Sequence, residues 1–184
     1  MRWRDVAHWW GTTEAERARP YPCDVVLPGW NEAWYRGVDV AAPAGVLFRW
    51  LCQLRVAPYS YDWIDNGGRR SPNALTPGLE QLEVGQPVMS IFRLVSFEQG
   101  EHLTARLAKP GLFPPLAISY CVEETAPGRS RLLGKIVLAL EPGIRHGLVR
   151  LLLPWGDWIM MRKQMLTLKA YAEASARQGS RSAE

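Results

Sequence analysis

Four strand-like segments in two hairpins, followed by one long apolar helical segment, constrain the fold of this chain more than any other feature. Residues 86–97 and 101–108 are rich in apolar residues and are joined by a short connection that contains glycine, which is typical of a hairpin. Residues 116–124 and 130–141 form a second pair around a Pro-Gly dipeptide. The pattern predicts four antiparallel strands that follow one another along the chain.

One strand and two helices are predicted ahead of these four strands. Residues 34–40 have the aromatic and β-branched content of a short strand. From Pro43 to Arg55 apolar residues recur at helical spacing behind an initial proline, which predicts an amphipathic helix. The next segment is punctuated by proline and glycine and has room for one or two helical turns at 60–66, with Ser60 as the predicted N-cap.

A helical segment from about Gly143 to Arg177 follows the last strand, and its second part carries an apolar face. Pro154 is expected to break or bend it, because proline removes an amide donor and disfavours the preceding turn. Asp157 is then placed to cap the helix that resumes. A long helix that covers the apolar face of a curved sheet leaves a gap, and we expect a ligand to bind there.

No Ser-, Gly- or charge-rich linker divides the 184 residues, so the sequence predicts a single domain. We expect this domain to span residues 34–177. Residues 1–33 are expected to lie against it as an N-terminal arm, with a short amphipathic turn at 13–18, and the polar residues 178–184 to form a flexible tail.

Charge and motifs argue against several classes of function. The formal charge of +4 comes from 22 basic and 18 acidic residues, and the basic residues form no dense run of the kind that binds nucleic acid. The three histidines lie far apart and outside any metal-binding motif, and neither a phosphate-binding loop nor a nucleophile elbow occurs. We therefore expect no metal, no cofactor and no nucleic-acid partner.

The cysteines and the apolar runs bear on the compartment. Three cysteines without CxxC spacing indicate reduced, mostly buried thiols. No apolar run approaches the roughly 20 residues that a membrane span needs, and the first ten residues lack the apolar core of a signal peptide. These features predict a cytoplasmic protein without a membrane span.

The order of elements resembles that of the helix-grip superfamily, also called SRPBCC, which includes START domains, polyketide cyclases and Bet v 1-like plant proteins. The resemblance covers residues 34–176 and depends on WYRGVDVAAPAGVLFRWLCQLR (34–55), on LEVGQ (82–86) and on the aromatic-rich terminal helix. The segment APYSYDWIDNGGRRSP (57–72) is similar to one in uncharacterised bacterial members. The resemblance implies an α+β fold in which a curved antiparallel sheet wraps around a long C-terminal helix, with two short helices after the first strand.

The densest functional chemistry lies between residues 59 and 70. Three candidate catalytic side chains, able to exchange a proton with an oxygenated ligand, are Tyr59, Asp62 and Asp65. Three candidate binding side chains are Tyr61, Trp63 and Arg69. A structural interpretation is also open, in which Asp65 caps or closes the small helix and Arg69 or Arg70 pairs with a carboxylate to fix the loop.

Further candidate binding residues lie in the sheet and the terminal helix. They are Arg93, Arg106 and Tyr120 in the strands and Trp155, Trp158 and Met161 in the helix. An arginine on the cavity face could hold a carboxylate or an enolate. In the alternative, the arginines face solvent while Trp158 and Met161 belong to the core.

Two functions remain open at this point. The resemblance implies that a small hydrophobic or aromatic metabolite binds in an internal cavity, either to a cyclase or dehydratase of secondary metabolism or to a non-catalytic carrier or sensor. A separate hypothesis makes the tryptophans of the arm a surface for a partner or for a homodimer. These are Trp3, Trp9, Trp10 and Trp30.

Overall fold

The computed structural model describes residues 3–109, 113–140 and 144–181. The helices are α1 (Trp3–Trp9), α2 (Glu14–Ala18), α3 (Pro22–Val26), α4 (Ala44–Cys52, continued by a 3-10 turn at Gln53–Arg55), α5 (Asp62–Asp65) and α6 (Ile144–Arg181). The strands are β1 (Glu32–Val40), β2 (Pro87–Val88), β3 (Phe92–Glu98), β4 (His102–Leu107), β5 (Leu116–Ala126) and β6 (Arg129–Leu138).

The six strands form one antiparallel sheet in the order β1-β6-β5-β4-β3-β2. The first strand therefore pairs with the last, from Glu32 opposite Leu138 to Val40 opposite Ser130. With α6 lying across the sheet, this is the helix-grip fold that the order of elements predicts, and the α+β class is confirmed. The two hairpins and α4 are confirmed as well.

The predicted strand 86–97 is wrong in one respect, since it is two strands. Met89 and Ser90 have φ angles of 46° and 64°, in the left-handed region that extended strands do not use. The backbone therefore turns between β2 and β3. The amide of Met89 donates to the carbonyl of Leu54 at 2.8 Å, so this turn is attached to the end of α4.

The inner face of the sheet carries the main core. Side chains alternate between the faces of a strand, and those on the inner face, which include Trp34, Ile118 and Ile136, are buried together with Met165 of α6. Gly134 lets α6 lie directly on β6, because a Cβ there would stand 2.9 Å from the Cε of Met161. At this point the predicted gap between helix and sheet is filled by methionine side chains.

Helix α4 and the connection between α5 and β2 add to this core. Leu47, Phe48 and Leu51 of α4 are buried in it. Leu75, Leu79 and Leu82 of the connection are partly buried and pack against the same cluster.

The N-terminal arm covers the outer face of the sheet. Tyr21, Cys23 and Leu27 are buried against a cluster that contains Leu133 and Val137. The charge of Lys135 also holds the arm to the sheet. The ammonium of Lys135 lies 2.6 Å from a carboxylate oxygen of Asp24, with its nitrogen 4.8 Å from the centre of the Trp30 ring.

The beginning of the arm closes the free edge of the sheet. Trp9 and Trp10 form bridges with Tyr35 and Arg36 of β1, the edge strand. An edge strand without such cover offers its amides and carbonyls to other chains. The predicted turn at 13–18 is α2, and the side chain and backbone of Thr13 complete a capping box with Glu16.

Two predictions about helix ends are wrong. Pro154 does not break the terminal helix, because α6 runs through it. Pro154 is buried, and burial of its ring offsets the one lost hydrogen bond. A bend at this position stays a prediction. Ser60 does not cap α5. Tyr61 holds the N-cap position, and the Ser60 hydroxyl donates instead to the carbonyl of Met160, at 3.1 Å.

Residues 178–181 continue α6, where the sequence predicts a flexible tail. Gly143 and residues 182–184, on which other predictions fall, lie outside the described residues. The proposed boundary of the arm at residue 33 stays a prediction.

Candidate functional site

A groove of about 540 Å³ separates α6 from the segment that leads into α5. It lies on the side of α6 that faces away from the sheet, since the helix residues on the opposite side, Met161, Met165 and Leu168, are buried. The residues that line the groove are Tyr61, Trp158, Ile159, Arg162, Lys163, Leu166, Thr167, Ala170 and Tyr171.

Aromatic rings and cations dominate the chemistry of this groove. Tyr61, Trp158 and Tyr171 offer flat apolar faces, and Arg162 and Lys163 are exposed beside them. The indole N–H of Trp158 is buried and finds no acceptor among the described residues. A groove of this composition can bind a flat apolar molecule and neutralise an acidic group on it.

An aromatic cluster supports the wall that contains Tyr171. The ring of Trp50 stacks on Tyr171 with centroids 4.7 Å apart, and the ring of Tyr59 meets both of them edge to face. The indole N–H of Trp50 donates to Ser175 at 2.9 Å, which ties α4 to α6. This wall is therefore built on packed elements and not on a loop.

Asp62, which follows the lining residue Tyr61, fixes the segment opposite that wall. Its carboxylate accepts hydrogen bonds from the amide of Ser71 at 2.8 Å and from the Ser71 hydroxyl at 2.6 Å. Charge-assisted bonds of this kind hold a loop firmly. The segment 62–71 is thereby folded back on itself beside the groove.

A buried polar chain lies beneath α6. The hydroxyl of Tyr120 donates to the side-chain carbonyl of Gln164, whose amide donates to the carbonyl of Pro58 at 2.7 Å. Burial raises the pKa of Tyr120 well above its ordinary value. The tyrosine is therefore a neutral donor that positions Gln164 and, through it, the start of the segment that contains Tyr61.

A buried ion pair lies next to the groove, because Asp157 directly precedes the lining residue Trp158. The guanidinium of Arg36, which is fully buried on the inner face of β1, donates to Asp157 at 2.7 Å. Burial raises the pKa of Asp157, against the opposing effect of Arg36, and burial likewise lowers the pKa of Arg36. Asp157 is thus a partner for Arg36, and the prediction that it caps a helix is wrong.

The three candidate catalytic residues lie beside the groove but do not line it. Asp62 is engaged by Ser71. Tyr59 is buried, with no partner for its hydroxyl among the described residues, and burial raises its pKa to about 12. Asp65 has one buried carboxylate oxygen without a described partner, and burial raises its pKa.

The candidate binding residues of the loop and helix divide into three groups. Tyr61 and Trp158 line the groove, and Trp155 packs edge to face on Trp158 with centroids 5.8 Å apart. Trp63 and Arg69 are exposed near the groove. Tyr120 and Met161 lie beneath α6 in the core.

Arg93 and Arg106 pair across β3 and β4 on the outer face, where both are exposed. They do not face the space between sheet and helix. Arg93 lines a separate groove of about 430 Å³ at the edge of the sheet, together with Lys109 and Phe113. The structure therefore does not bring these arginines together with the other candidates.

Sequence reasoning missed five residues that shape the site, namely Arg36, Arg162, Lys163, Gln164 and Tyr171. Arg36 had a usable signal, because it alternates with Trp34 and Val38 and so shares a face with apolar residues. Arg162 and Lys163 had none. Two adjacent basic residues on a helix are typical of a solvated surface, and only the tertiary structure shows that Tyr61 lies across a groove from them.

Comparisons with solved structures agree with the topology. A hypothetical protein from Helicobacter pylori is 13% identical, with a TM-score of 0.51 over 84% of this chain and 96% of that chain. A protein from Thermobifida fusca is also 13% identical, with a TM-score of 0.50 over 76% of this chain and 92% of that chain. A START superfamily protein from Mycobacterium smegmatis is 12% identical, with a TM-score of 0.45 over 79% and 97% of the two chains.

The helix-grip fold follows from the strand order and the terminal helix, and at these identities the likeness to the solved structures shows the fold alone. No protein-family model and no curated protein matches the sequence. Within residues 3–109, 113–140 and 144–181, no helix is long and apolar enough to cross a membrane. The same residues contain no group of three or more His, Cys, Asp or Glu side chains that could hold a metal ion.

Proposed function

We propose that this protein binds a small hydrophobic or aromatic metabolite that carries an acidic group, and that it acts as a carrier or sensor. The binding site is the groove between Tyr61 and α6. The observation that carries the proposal is the combination of three aromatic rings with two exposed cations along one groove of about 540 Å³. Its volume lies within the range of about 300–1,000 Å³ found for small-molecule sites.

The side chains of the groove favour binding over catalysis. None of its nine lining residues is Asp, Glu, His or Cys, so the groove lacks the usual groups that exchange a proton near neutral pH. Arg162 and Lys163 can neutralise an acidic group on the ligand, and the rings of Tyr61, Trp158 and Tyr171 can pack against its apolar part. Orientation and charge neutralisation are sufficient for a carrier.

Two fluorescent probes test this proposal, because they share an aromatic system and differ in charge. The anion 1-anilinonaphthalene-8-sulfonate and the neutral N-phenyl-1-naphthylamine are titrated into the protein. We expect Arg162→Gln/Lys163→Gln to weaken binding of the anion roughly tenfold, about 1.4 kcal/mol, and to leave binding of the neutral probe nearly unchanged. Tyr61→Ala should weaken both.

Arg93→Gln is the matched control, since it removes an exposed arginine from the other groove. Each variant is accepted only if its thermal unfolding matches that of the unmodified protein. The groove is not the site if Arg93→Gln weakens binding of the anionic probe as much as the double variant does. It is also not the site if Tyr61→Ala leaves the binding of both probes unchanged.

A cyclase-like activity is the second candidate, and Asp65 is the observation that favours it. Its buried oxygen has no described partner and burial raises its pKa, so the protonated acid is accessible at a higher pH than usual. Such an acid could protonate a ketone oxygen while an enol carbon of the same substrate forms the new C–C bond that closes the ring, and the resulting carboxylate would take up the proton of the enol hydroxyl. Loss of one water from the alcohol would then form a C=C bond in the ring.

The test is incubation with a linear poly-β-ketone thioester, followed by mass spectrometry for the loss of one water. A cyclase should convert it faster than buffer alone, and Asp65→Asn should abolish the difference. Asp5→Asn, in the N-terminal arm, is the control. Conversion at the rate of buffer would leave binding as the function.

A further inference from the structure

Two large apolar side chains next to the groove take no part in the core. Trp63 and Ile64 are consecutive residues of α5 and are 76% and 55% exposed. Exposing a tryptophan and an isoleucine side by side has no benefit for the stability of the fold. Their position is not a fraying end either, because the loop is anchored on both sides by the Ser60 and Asp62 hydrogen bonds.

Apolar residues of α6 extend this exposed surface. Leu152 and Ile159 are 58% and 47% exposed, and their separation of seven residues places them on one face of the helix. Ile159 lines the groove together with Tyr61, which directly precedes α5. We name Trp63, Ile64, Leu152 and Ile159 the apolar rim.

The charges around the apolar rim are positive on balance. Arg69, Arg70, Arg162 and Lys163 are exposed. Two carboxylates, Asp62 and Asp65, flank the exposed pair in α5, but both are half-buried and Asp62 is turned toward Ser71. A surface that combines exposed aromatic and aliphatic side chains with an excess of exposed cations is complementary to a bilayer that contains anionic lipid.

We propose that the apolar rim docks the protein on the surface of an anionic membrane. Trp63 and Ile64 enter the headgroup region, where tryptophan is favoured, and the arginines contact lipid phosphates. The groove then opens next to the bilayer, so that an apolar ligand can pass between membrane and protein without crossing water. Docking goes beyond the proposed ligand site and does not depend on a ligand being present.

Co-sedimentation with vesicles tests this proposal, using the full chain. We expect binding to vesicles of phosphatidylcholine mixed with phosphatidylserine, and at least about tenfold weaker binding to phosphatidylcholine alone. Trp63→Ala/Ile64→Ala and, separately, Arg69→Gln/Arg70→Gln should each weaken binding to the anionic vesicles by about tenfold or more.

Two control pairs match these variants in chemistry and exposure. Val25→Ala/Val84→Ala removes apolar groups that are 83% and 60% exposed elsewhere, and Arg93→Gln/Arg106→Gln removes two exposed arginines from the outer face of the sheet. Both should bind anionic vesicles as the unmodified protein does. The proposal is overturned if the unmodified protein stays in the supernatant, if neutral vesicles bind it equally, or if the controls lose as much binding as the rim variants.

The two proposals can fail separately. Trp63→Ala/Ile64→Ala leaves the lining of the groove intact, so this variant should still bind the anionic fluorescent probe. Loss of vesicle binding with probe binding retained supports docking by the rim. Loss of both, with unchanged thermal unfolding, would mean that the probe itself binds at the rim, and would count against the groove.

Discussion

Arg36 shows at the scale of one residue how a buried charge can organise a helix. Its guanidinium is fully buried, its Nε has no described partner, and its strong contact is with Asp157 across the core. Removing one member of such a pair leaves the other charge without compensation, which costs more than the intact pair contributes. The pair therefore attaches the first part of α6 to β1.

Arg36→Ala should lower the free energy of unfolding by about 3 kcal/mol, because Asp157 is then left partly buried and unpaired. Urea denaturation measures the change. Arg93→Ala, an exposed arginine, should stay within about 0.5 kcal/mol of the unmodified protein. Similar losses in the two variants would show that the buried pair contributes nothing special.

Gly37 is the second residue whose identity the packing dictates. A Cβ at this position would lie 2.8 Å from the carbonyl oxygen of Gly11 and 2.6 Å from a nitrogen of Arg131. The oxygen belongs to the backbone of the arm and cannot rotate away. The arm reaches β1 only because both Gly11 and Gly37 lack a side chain there.

Gly37→Ala should therefore loosen the arm and cost about 2 kcal/mol or more. Faster limited proteolysis within residues 1–20 would report the loosened arm, and chemical denaturation would measure the lost stability. Gly45→Ala is the matched control, because a Cβ at Gly45 meets nothing within 4 Å and alanine favours the helix. It should be neutral or stabilising by up to about 1 kcal/mol.

At the scale of an element, α2 is held to the sheet by Glu16. Its carboxylate accepts from Arg131 of β6 at 2.8 Å and 3.0 Å and from the amide of Thr13 at 2.7 Å. Burial alone would raise the pKa of Glu16, but these hydrogen bonds outweigh it and the pKa is lowered. The contact thus depends on the ionised carboxylate.

A lowered pKa fixes the sign of the pH dependence. The contribution of Glu16 to the free energy of unfolding is fully present above the ordinary pKa of a glutamate, 4.5. It is lost as the pH falls through the lower pKa that Glu16 has in the folded protein. Glu16→Gln should cost about 1–2 kcal/mol at pH 7. The difference in the free energy of unfolding between this variant and the unmodified protein should shrink below about pH 4.5. Denaturation at several pH values measures it, and a difference that does not change with pH would contradict the prediction.

At the scale of the whole molecule, the arm is a layer of the fold and not an appendage. Trp10 packs against the main core and Trp30 lies beneath Lys135, so these two tryptophans are used within the chain. Trp9 remains 43% exposed, and the side chain of Trp3 lies outside the described residues. A homodimer through the arm stays a prediction.

Leu27→Ala tests this third layer. Leu27 is 4% exposed between arm and sheet, so we expect a loss of about 2–4 kcal/mol in the free energy of unfolding. Val25→Ala, two residues away and 83% exposed, should change it by less than about 0.5 kcal/mol. Thermal unfolding of both variants measures the contrast, and equal melting temperatures would mean that the arm does not contribute to the fold.

Part of the candidate site could be predicted from the sequence. The density of phenols and carboxylates predicts a functional segment from Tyr59 to Arg70, and of these residues Tyr61 lines the groove; a function for the segment stays a prediction. The roles within it could not be assigned, because Asp62 bonds a serine nine residues away and the half-burial of Asp65 depends on packing that the sequence does not show. The arginines of the sheet could not be placed, since alternation shows which residues share a face but not which face is covered.

Local physics in the sequence determined the two hairpins, the first strand, α4 and the helix-grip order of elements. These depend on alternation, helical spacing and turn residues, which act between neighbours in the chain. Tertiary structure decided that α6 passes through Pro154 without a break, that methionines fill the space over Gly134, and that the groove lies on the far side of the helix. Each of these follows from contacts between distant segments, whose packing energy can override a local preference such as that of a proline.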